Sequence, residues 1–481
     1  MFKKIFSFHT IDGDDMKSMS IWQDIQSTSL NPVSKNMNVD VLIIGGGVSG
    51  LSVLCQLKNY SLKTILVERG LCGYGVTSKS TAKITYLQGS LLEKIRKFHG
   101  EDIASRYLQA ERDGVFLLQK IIKEEKILCD LESSPSYLFC TQEENFERLQ
   151  KEYDFLLKNQ VKVVKTRFQG KPALKIEDSY TFHPLKYIQG LKKLLKEHIF
   201  ENSKVEKIVK KDSFYEVLIN GYTIKAKKIV LATHYPYFLK PFLFPFKNHV
   251  ETSYVVARKE DNPSHVNAIN IDESVVSLRY YQDYLIYLFH SETASKRSFL
   301  KERFEKFSSW DYEWTNKDVI TNDYIPFIGS LSKQDDSFLF LGGYGTWGFS
   351  NATIGSVVIK DILFEKYNPY ISLFAPYRKL KFERLLTDSF CTIEAIVKST
   401  KNNVNNQEVI YKKIDNQDVA IYIDENKKEH IVLNRCPHMK CGLVFNPLEK
   451  TWDCLCHGSR FSIDGKCIEG PSNLDISFKK K

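Results

Sequence analysis

Residues 40–68 hold the pattern that most restricts the fold. Asp40-Val41-Leu42-Ile43-Ile44 is a short apolar run of strand character. Gly45-Gly46-Gly47-Val48-Ser49-Gly50 follows at once, then Leu51, Leu54 and Leu57 at helical spacing. A second run, Thr64-Ile65-Leu66-Val67, ends at Glu68. Strand, glycine turn, helix and strand within about 30 residues make a βαβ unit, which needs a parallel sheet covered by helices. In Gly45-x-Gly47-x-x-Gly50, the first glycine permits the tight turn and the second admits a pyrophosphate. The third lets helix and strand pack closely, and the helix N-terminus favours the negative charge. Glu68 lies 18 residues beyond Gly50, where a carboxylate accepts from ribose hydroxyls and disfavours a 2′-phosphate. Leu54 departs from the small residue usual in such a helix.

The rest of the 481-residue chain reads as mixed structure. Helical spacing appears over 90–128, 143–158, 185–198 and 380–400. Strands are expected over 205–233, with Asn220-Gly221 as a hairpin turn, and over 250–290. Residues 338–363 repeat the strand, glycine turn, helix order. Asn402 to Gln407 is polar and turn-rich, a boundary, and short strands dominate beyond it. Net charge is +10, with no dense basic block apart from the terminal lysines, which argues against nucleic-acid binding. No apolar run approaches about 18 residues and no signal h-region opens the chain, so a cytoplasmic protein without a transmembrane segment is expected.

Three further segments carry a resemblance. Gly75-Val76-Thr77-Ser78-Lys79-Ser80-Thr81-Ala82-Lys83-Ile84-Thr85, Asp323-Tyr324-Ile325-Pro326-Phe327-Ile328-Gly329 and Gly345-Thr346-Trp347-Gly348-Phe349-Ser350-Asn351 resemble segments of the D-amino-acid oxidase and glycine oxidase family of FAD-dependent oxidoreductases. The resemblance covers residues 20–370. It implies a discontinuous FAD domain with an inserted, β-rich substrate domain, and oxidation of a small amine or amino-acid-like substrate at the flavin. It assigns FAD contacts to Gly45, Gly47, Gly50, Glu68, Thr81, Ala82, Lys83, Gly329, Gly345, Trp347 and Gly348. It nominates Arg279 and Tyr280 to hold substrate, with Lys83 as a third catalytic candidate. Leu288-Phe289-His290 stands where relatives have a glycine-rich strand end, which leaves the substrate class open. His183, before Pro184, is expected to cap a helix, and His234 to add polarity beside the flavin. The aromatic stretch from Tyr235 to Phe246 reads as core or tunnel lining.

The ten cysteines are unevenly placed: five are scattered upstream and five fall between 436 and 467. Cys436-Pro437-His438 and Cys454-Leu455-Cys456-His457 form C-x-H, fifteen residues, C-x-x-H. Two thiolates on one iron and two imidazoles on the other make a Rieske [2Fe–2S] centre. A Cys/His zinc site is the weaker alternative, since zinc ribbons use C-x-x-C knuckles. The stretch resembles the Rieske proteins of cytochrome bc complexes. That resemblance makes Cys436, His438, Cys454 and His457 the ligands and pairs Cys441 with Cys456 in a disulfide. It places the Ser459 hydroxyl at a bridging sulfide and Gly470-Pro471 over the cluster. Phe461 and Lys440 depart from it, standing where a tyrosine and a glycine are usual. Cys467 and the five upstream cysteines have no assigned chemistry.

The combined expectation is an α/β, Rossmann-like FAD domain plus an α+β substrate domain, with a C-terminal all-β Rieske domain. Its divisions are an N-terminal extension (1–20), an FAD domain in two pieces (21–234 and 321–378), a substrate domain (235–320), a helical linker (379–405) and the Rieske module (406–481). A flavin releases two electrons and the cluster accepts one at a time, so the fusion suggests a dehydrogenase passing electrons singly to an unidentified one-electron acceptor. This architecture resembles a bacterial group of D-amino-acid-oxidase-like proteins with a C-terminal Rieske domain. A non-enzymatic redox sensor or electron carrier is the alternative.

Overall fold

A computed structural model describes residues 17, 19–236, 244–293, 310–379, 409–447, 449–472 and 474–478. Most of the N-terminal extension, residues 237–243 of the aromatic stretch, the expected helix 380–400, the 402–407 boundary and the terminal lysines lie outside these residues.

The first sheet grows from the βαβ unit. Met37–Ile44 pairs in parallel with Thr64–Val67 on one side and Tyr222–Leu231 on the other. Ile199–Phe200 extends the far edge. Tyr222–Leu231 divides its partners. Its first half pairs antiparallel with Tyr215–Ile219, across the expected turn at Asn220-Gly221. Its last residues pair in parallel with Phe338–Gly342, which turns back on Phe327–Ser330. Helices Val48–Leu57, Glu101–Glu124 and Gly348–Leu363 cover one face and share one apolar core. Met37–Ile44 becomes fully buried toward its C-terminal end and Thr64–Val67 is buried throughout, as strands covered on both faces require.

A second eight-stranded sheet stands beside the first. Its order is Tyr312–Thr321, Asn248–Lys259, Tyr284–Thr293, Val276–Tyr281, Asn267–Asn270, Ser136–Phe139, Lys171–Ile176 and Val164–Phe168. The last three strands come from a stretch expected inside the FAD domain. They join through one long-range parallel pairing, Ser136–Phe139 with Asn267–Asn270. Neither strand exceeds four residues, too short for its alternation to stand out locally.

The N-terminal segment is packed where it is described. Trp22 is fully buried and its indole donates to the Ser80 carbonyl at 2.7 Å. Lys17 bridges to Tyr312 of the second sheet.

The C-terminal module is all β. A three-stranded sheet (Val409–Ile414, Gln417–Ile423, Glu429–Leu433) stands with a four-stranded one (Leu443–Asn446, Thr451–Cys454, Arg460–Ser462, Cys467–Glu469). Tyr422, Phe445, Trp452 and Phe461 fill its core. The two loops with the C-x-H and C-x-x-H residues flank the second sheet.

Candidate functional site: a dinucleotide cavity meeting an iron–sulfur site

The glycine turn has the expected geometry. Gly45 adopts φ +112°, and a Cβ there would stand 2.7 Å from the Ala232 carbonyl oxygen. A Cβ on Gly50 would collide with the Gly45 carbonyl, so strand and helix touch backbone to backbone. Gly47 faces the Thr77 hydroxyl, which accepts from Val48 N at 3.2 Å. Glu68 accepts from Gly46 N at 2.7 Å and from Gly70 N at 2.9 Å. These backbone donors fix its carboxylate at the end of the second strand. Gly45, Gly47, Glu68, Gly345 and Gly348 all line one long cavity. This cradle, lined by glycines with no side chain to fill it, fits a dinucleotide.

A second cavity adjoins it and shares Ser80, Tyr344, Gly345, Thr346, Gly348 and Phe349 with it. Thr81, Lys83 and Trp347 line this second space. The Lys83 amine donates to Ala268 O at 3.3 Å and to Ser277 Oγ, and lies 5.7 Å from the Trp347 ring. Burial, then the Arg279 charge, lowers its pKa to about 7. The amine is therefore partly neutral at physiological pH, as a nucleophile or proton acceptor requires.

Arg279 and Tyr280 take other places than expected. Arg279 is fully buried, and its guanidinium donates to the carbonyls of Thr81 (2.9 Å), Ala82 (2.7 Å), Phe182 (3.1 Å) and Tyr280 (3.1 Å). It lines neither cavity. Ala82 has φ +54°, which turns neighbouring carbonyls toward the cation, so Arg279 shapes the 81–83 segment from behind. Tyr280 alternates to the opposite face of its strand and packs on the Phe139–Phe168 core. Gly329 packs against Ile362 and Pro376, away from both cavities. His183 caps Pro184–Leu195, its Nδ1 accepting from Lys186 N at 3.2 Å. His234 opens onto the first cavity.

The iron–sulfur residues converge. Cys436 and Cys454 are buried free thiols that face one another. The rings of His438 and His457 lie 5.1 Å apart, and all four of their nitrogens are buried without a hydrogen-bond partner. Four orphaned imidazole nitrogens are costly unless something else binds them. Burial lowers the pKa of His438 to about 4; burial, then His438, lowers that of His457 to about 3. Both rings are neutral, the state in which imidazole binds metal. Cys441 and Cys456 form a disulfide linking the two loops, and the Cys454 sulfur lies within 4.8 Å of both. Ser459 is fully buried, accepts from Ser472 N at 2.9 Å and approaches Cys436. Lys440 holds the glycine-like position at φ +61°. The donor set fits a [2Fe–2S] cluster with two thiolates and two imidazoles.

The two centres meet. His457 and Gly458 line the same long cavity as Gly45 and Gly47. Tyr235, at the end of the first sheet, contacts the rings of both His438 and His457, with centroids 6.0 and 5.6 Å away. Arg69, next to Glu68, donates to the Ile468 carbonyl.

A model for the FAD dependent oxidoreductase (DAO) family matches residues 40–361. The chain belongs to that family. A model for the Rieske [2Fe-2S] domain matches residues 395–477 of this FAD-dependent oxidoreductase, and the two cofactors are FAD and a Rieske [2Fe–2S] cluster. The protein YhfW of Bacillus subtilis (strain 168) is 25% identical over 92% of this chain and 94% of its own length. A cytochrome b6-f complex iron-sulfur subunit of Nostoc is 38% identical over 47 residues, 10% of this chain and 26% of that one. In fold, the oxidoreductase is similar to glycine oxidase from Geobacillus kaustophilus (TM-score 0.58, 16% identity, 72% of this chain and 100% of that one). It is also similar to L-amino acid deaminase from Proteus vulgaris (TM-score 0.60, 15% identity, 74% and 98%). Among the described residues, no helix is long and apolar enough to cross a membrane.

The expected residues omit the charges that surround the meeting point. Lys79, Lys317, Glu449, Asp453, Arg460 and Glu469 form one ion-pair network there. The signal available was Asp453 and Arg460, which bracket the second ligand loop in sequence.

Proposed function

We propose that this oxidoreductase oxidises a small amine or amino-acid-like substrate in the second cavity and passes the electrons singly through the Rieske cluster to an acceptor. The observation that carries the reading is the shared cavity: His457, Gly45 and Gly47 line one space. When bound, FAD accepts two reducing equivalents from substrate and the cluster takes up one electron at a time.

The chain's own residues supply the rest. Gly45 and Gly47 clear room for the pyrophosphate, Gly50 lets the helix pack on the turn, and Glu68 is held to accept from the ribose. Thr81, Lys83 and Trp347 form the wall of the second cavity, where Lys83 is placed to take a proton from a substrate ammonium. Arg279 keeps the 81–83 segment in position from beneath. Cys436 and Cys454 would hold one iron, and His438 and His457 the other, with the Cys441–Cys456 disulfide fixing the loops. The glycine oxidase and amino acid deaminase likeness supports an amine-bearing substrate.

An anaerobic amine and amino-acid panel tests the reading. The expected result is bleaching of the flavin followed by the electron paramagnetic resonance (EPR) signal of a reduced Rieske cluster. Flavin bleaching with a cluster that stays oxidised, although dithionite reduces it, would refute the internal transfer. A flavin left oxidised by the whole panel would favour the sensor reading.

A further inference from the structure

Buried charge gathers on the seam between the Rieske module and the rest of the chain, at the margin of the first cavity, which Lys317 and Glu469 also line. Lys79, Lys317 and Arg460 face Glu449, Asp453 and Glu469. Lys317 stands apart in this set. It belongs to the strand Tyr312–Thr321 of the second sheet, yet its ammonium lies 3.3 Å from Asp453 Oδ2 and donates to the Gly458 carbonyl at 3.3 Å. Asp453 immediately precedes Cys454, and Gly458 immediately follows His457. One side chain from another domain thus grips both ends of the loop bearing two of the four ligands. The fit is close: Gly458 adopts φ +81°, and a Cβ there would stand 3.3 Å from both Lys317 Cδ and Val250 Cγ1. The Lys317 side chain is 6% exposed. Among the described residues, the Lys79 ammonium pairs with Glu449 and Glu469, while Arg460 belongs to the module, pairs with its carboxylates and donates across the seam to Thr315 Oγ1 at 2.8 Å.

We infer that Lys317 is a positioning residue for the iron–sulfur centre: it holds the Cys454–His457 loop against the flavin cavity and raises the cluster's reduction potential. Reduction adds one negative charge to the cluster, and a buried cation next to the ligand loop stabilises that charge where solvent does not screen it. Three cations balance three carboxylates on the seam, so loss of Lys317 leaves one net negative charge beside Cys454. The inference rests on the proposed flavin-to-cluster function only for its use, because the potential belongs to the cluster itself.

The test is a mediated redox titration of the full-length holoprotein, following the EPR signal of the reduced cluster. Lys317→Met is expected to lower the midpoint potential, Lys317→Arg to stay near the unsubstituted value, and Lys79→Met to shift it less than Lys317→Met. If Lys317→Met does not load the cluster, Lys317→Gln, which keeps a donor but no charge, carries the same expectation. An unchanged potential in the loaded variant that lacks the charge overturns the inference, as does an equal shift in Lys79→Met. Mediators set the potential without substrate or internal transfer. Failure here is therefore distinct from failure of the amine panel.

Discussion

Lys83 shows what a single buried amine does at this site. Its folded pKa of about 7 lies well below that of an exposed lysine, because burial disfavours the cation. Between that value and about 10.4, the unfolded chain binds a proton that the folded one does not. Stability therefore rises with pH across this window through Lys83, and the contribution is smallest below pH 7. Denaturant titrations from pH 7 to 10 are expected to show a shallower rise in Lys83→Met; identical slopes would contradict the assignment. The ligand residues make a simpler prediction. Cys454→Ser or His457→Ala is expected to lose the cluster's visible absorption and most of its iron, with flavin retained. Gly50→Ala should do the reverse, since its methyl collides with the Gly45 carbonyl. Flavin per chain is expected to fall while iron is kept. Arg279 was not legible at this scale. The chain shows a basic residue on a strand, but not that Ala82 turns carbonyls toward it.

The ligand loops are short, and their stability depends on being tied. Cys441–Cys456 closes a loop with a sequence separation of 15, a length for which a disulfide contributes about 3 kcal/mol. The Cys441→Ser/Cys456→Ser double variant should unfold at lower denaturant by about that amount and lose its cluster faster on dilution into chelator. Elements with a local signal were readable: the glycine turn, the helices Phe146–Lys158 and Pro184–Leu195, and the Asn220-Gly221 hairpin all lie where periodicity and turn residues put them. The strands between 136 and 176 were not. Ser136–Phe139 is a strand because Asn267–Asn270 lies beside it, and a pairing across that distance leaves no mark in a short window. The ligand pattern was legible because metal chemistry demands both residue types and spacing, whereas its partners Lys79 and Lys317 lie more than a hundred residues upstream.

At the scale of the molecule, a buried ion-pair network helps join the Rieske module to the rest of the described chain. Burial works to raise the Glu449 and Glu469 pKa values, yet Arg460 and Lys79 hold both below the usual carboxylate range. Removing one partner from such a set strands a buried charge, at a cost of about 3–5 kcal/mol. With the network intact, module and flavoprotein are expected to unfold in one transition. Glu449→Ala, which also removes the acceptor for Thr315 N, is expected to split it in two by calorimetry. Coincident unfolding in that variant would show that the seam does not couple them.

The buried ligand loops also bear on how the protein is made. Cys436, Cys454 and His457 are almost wholly covered once the chain has closed, and His457 faces inward to the nucleotide cavity. Cluster loading is therefore expected to run faster in a chain that is still folding than in the finished apoprotein. Iron and sulfide added during refolding and after it, followed by visible absorption, check this; equal rates would contradict it.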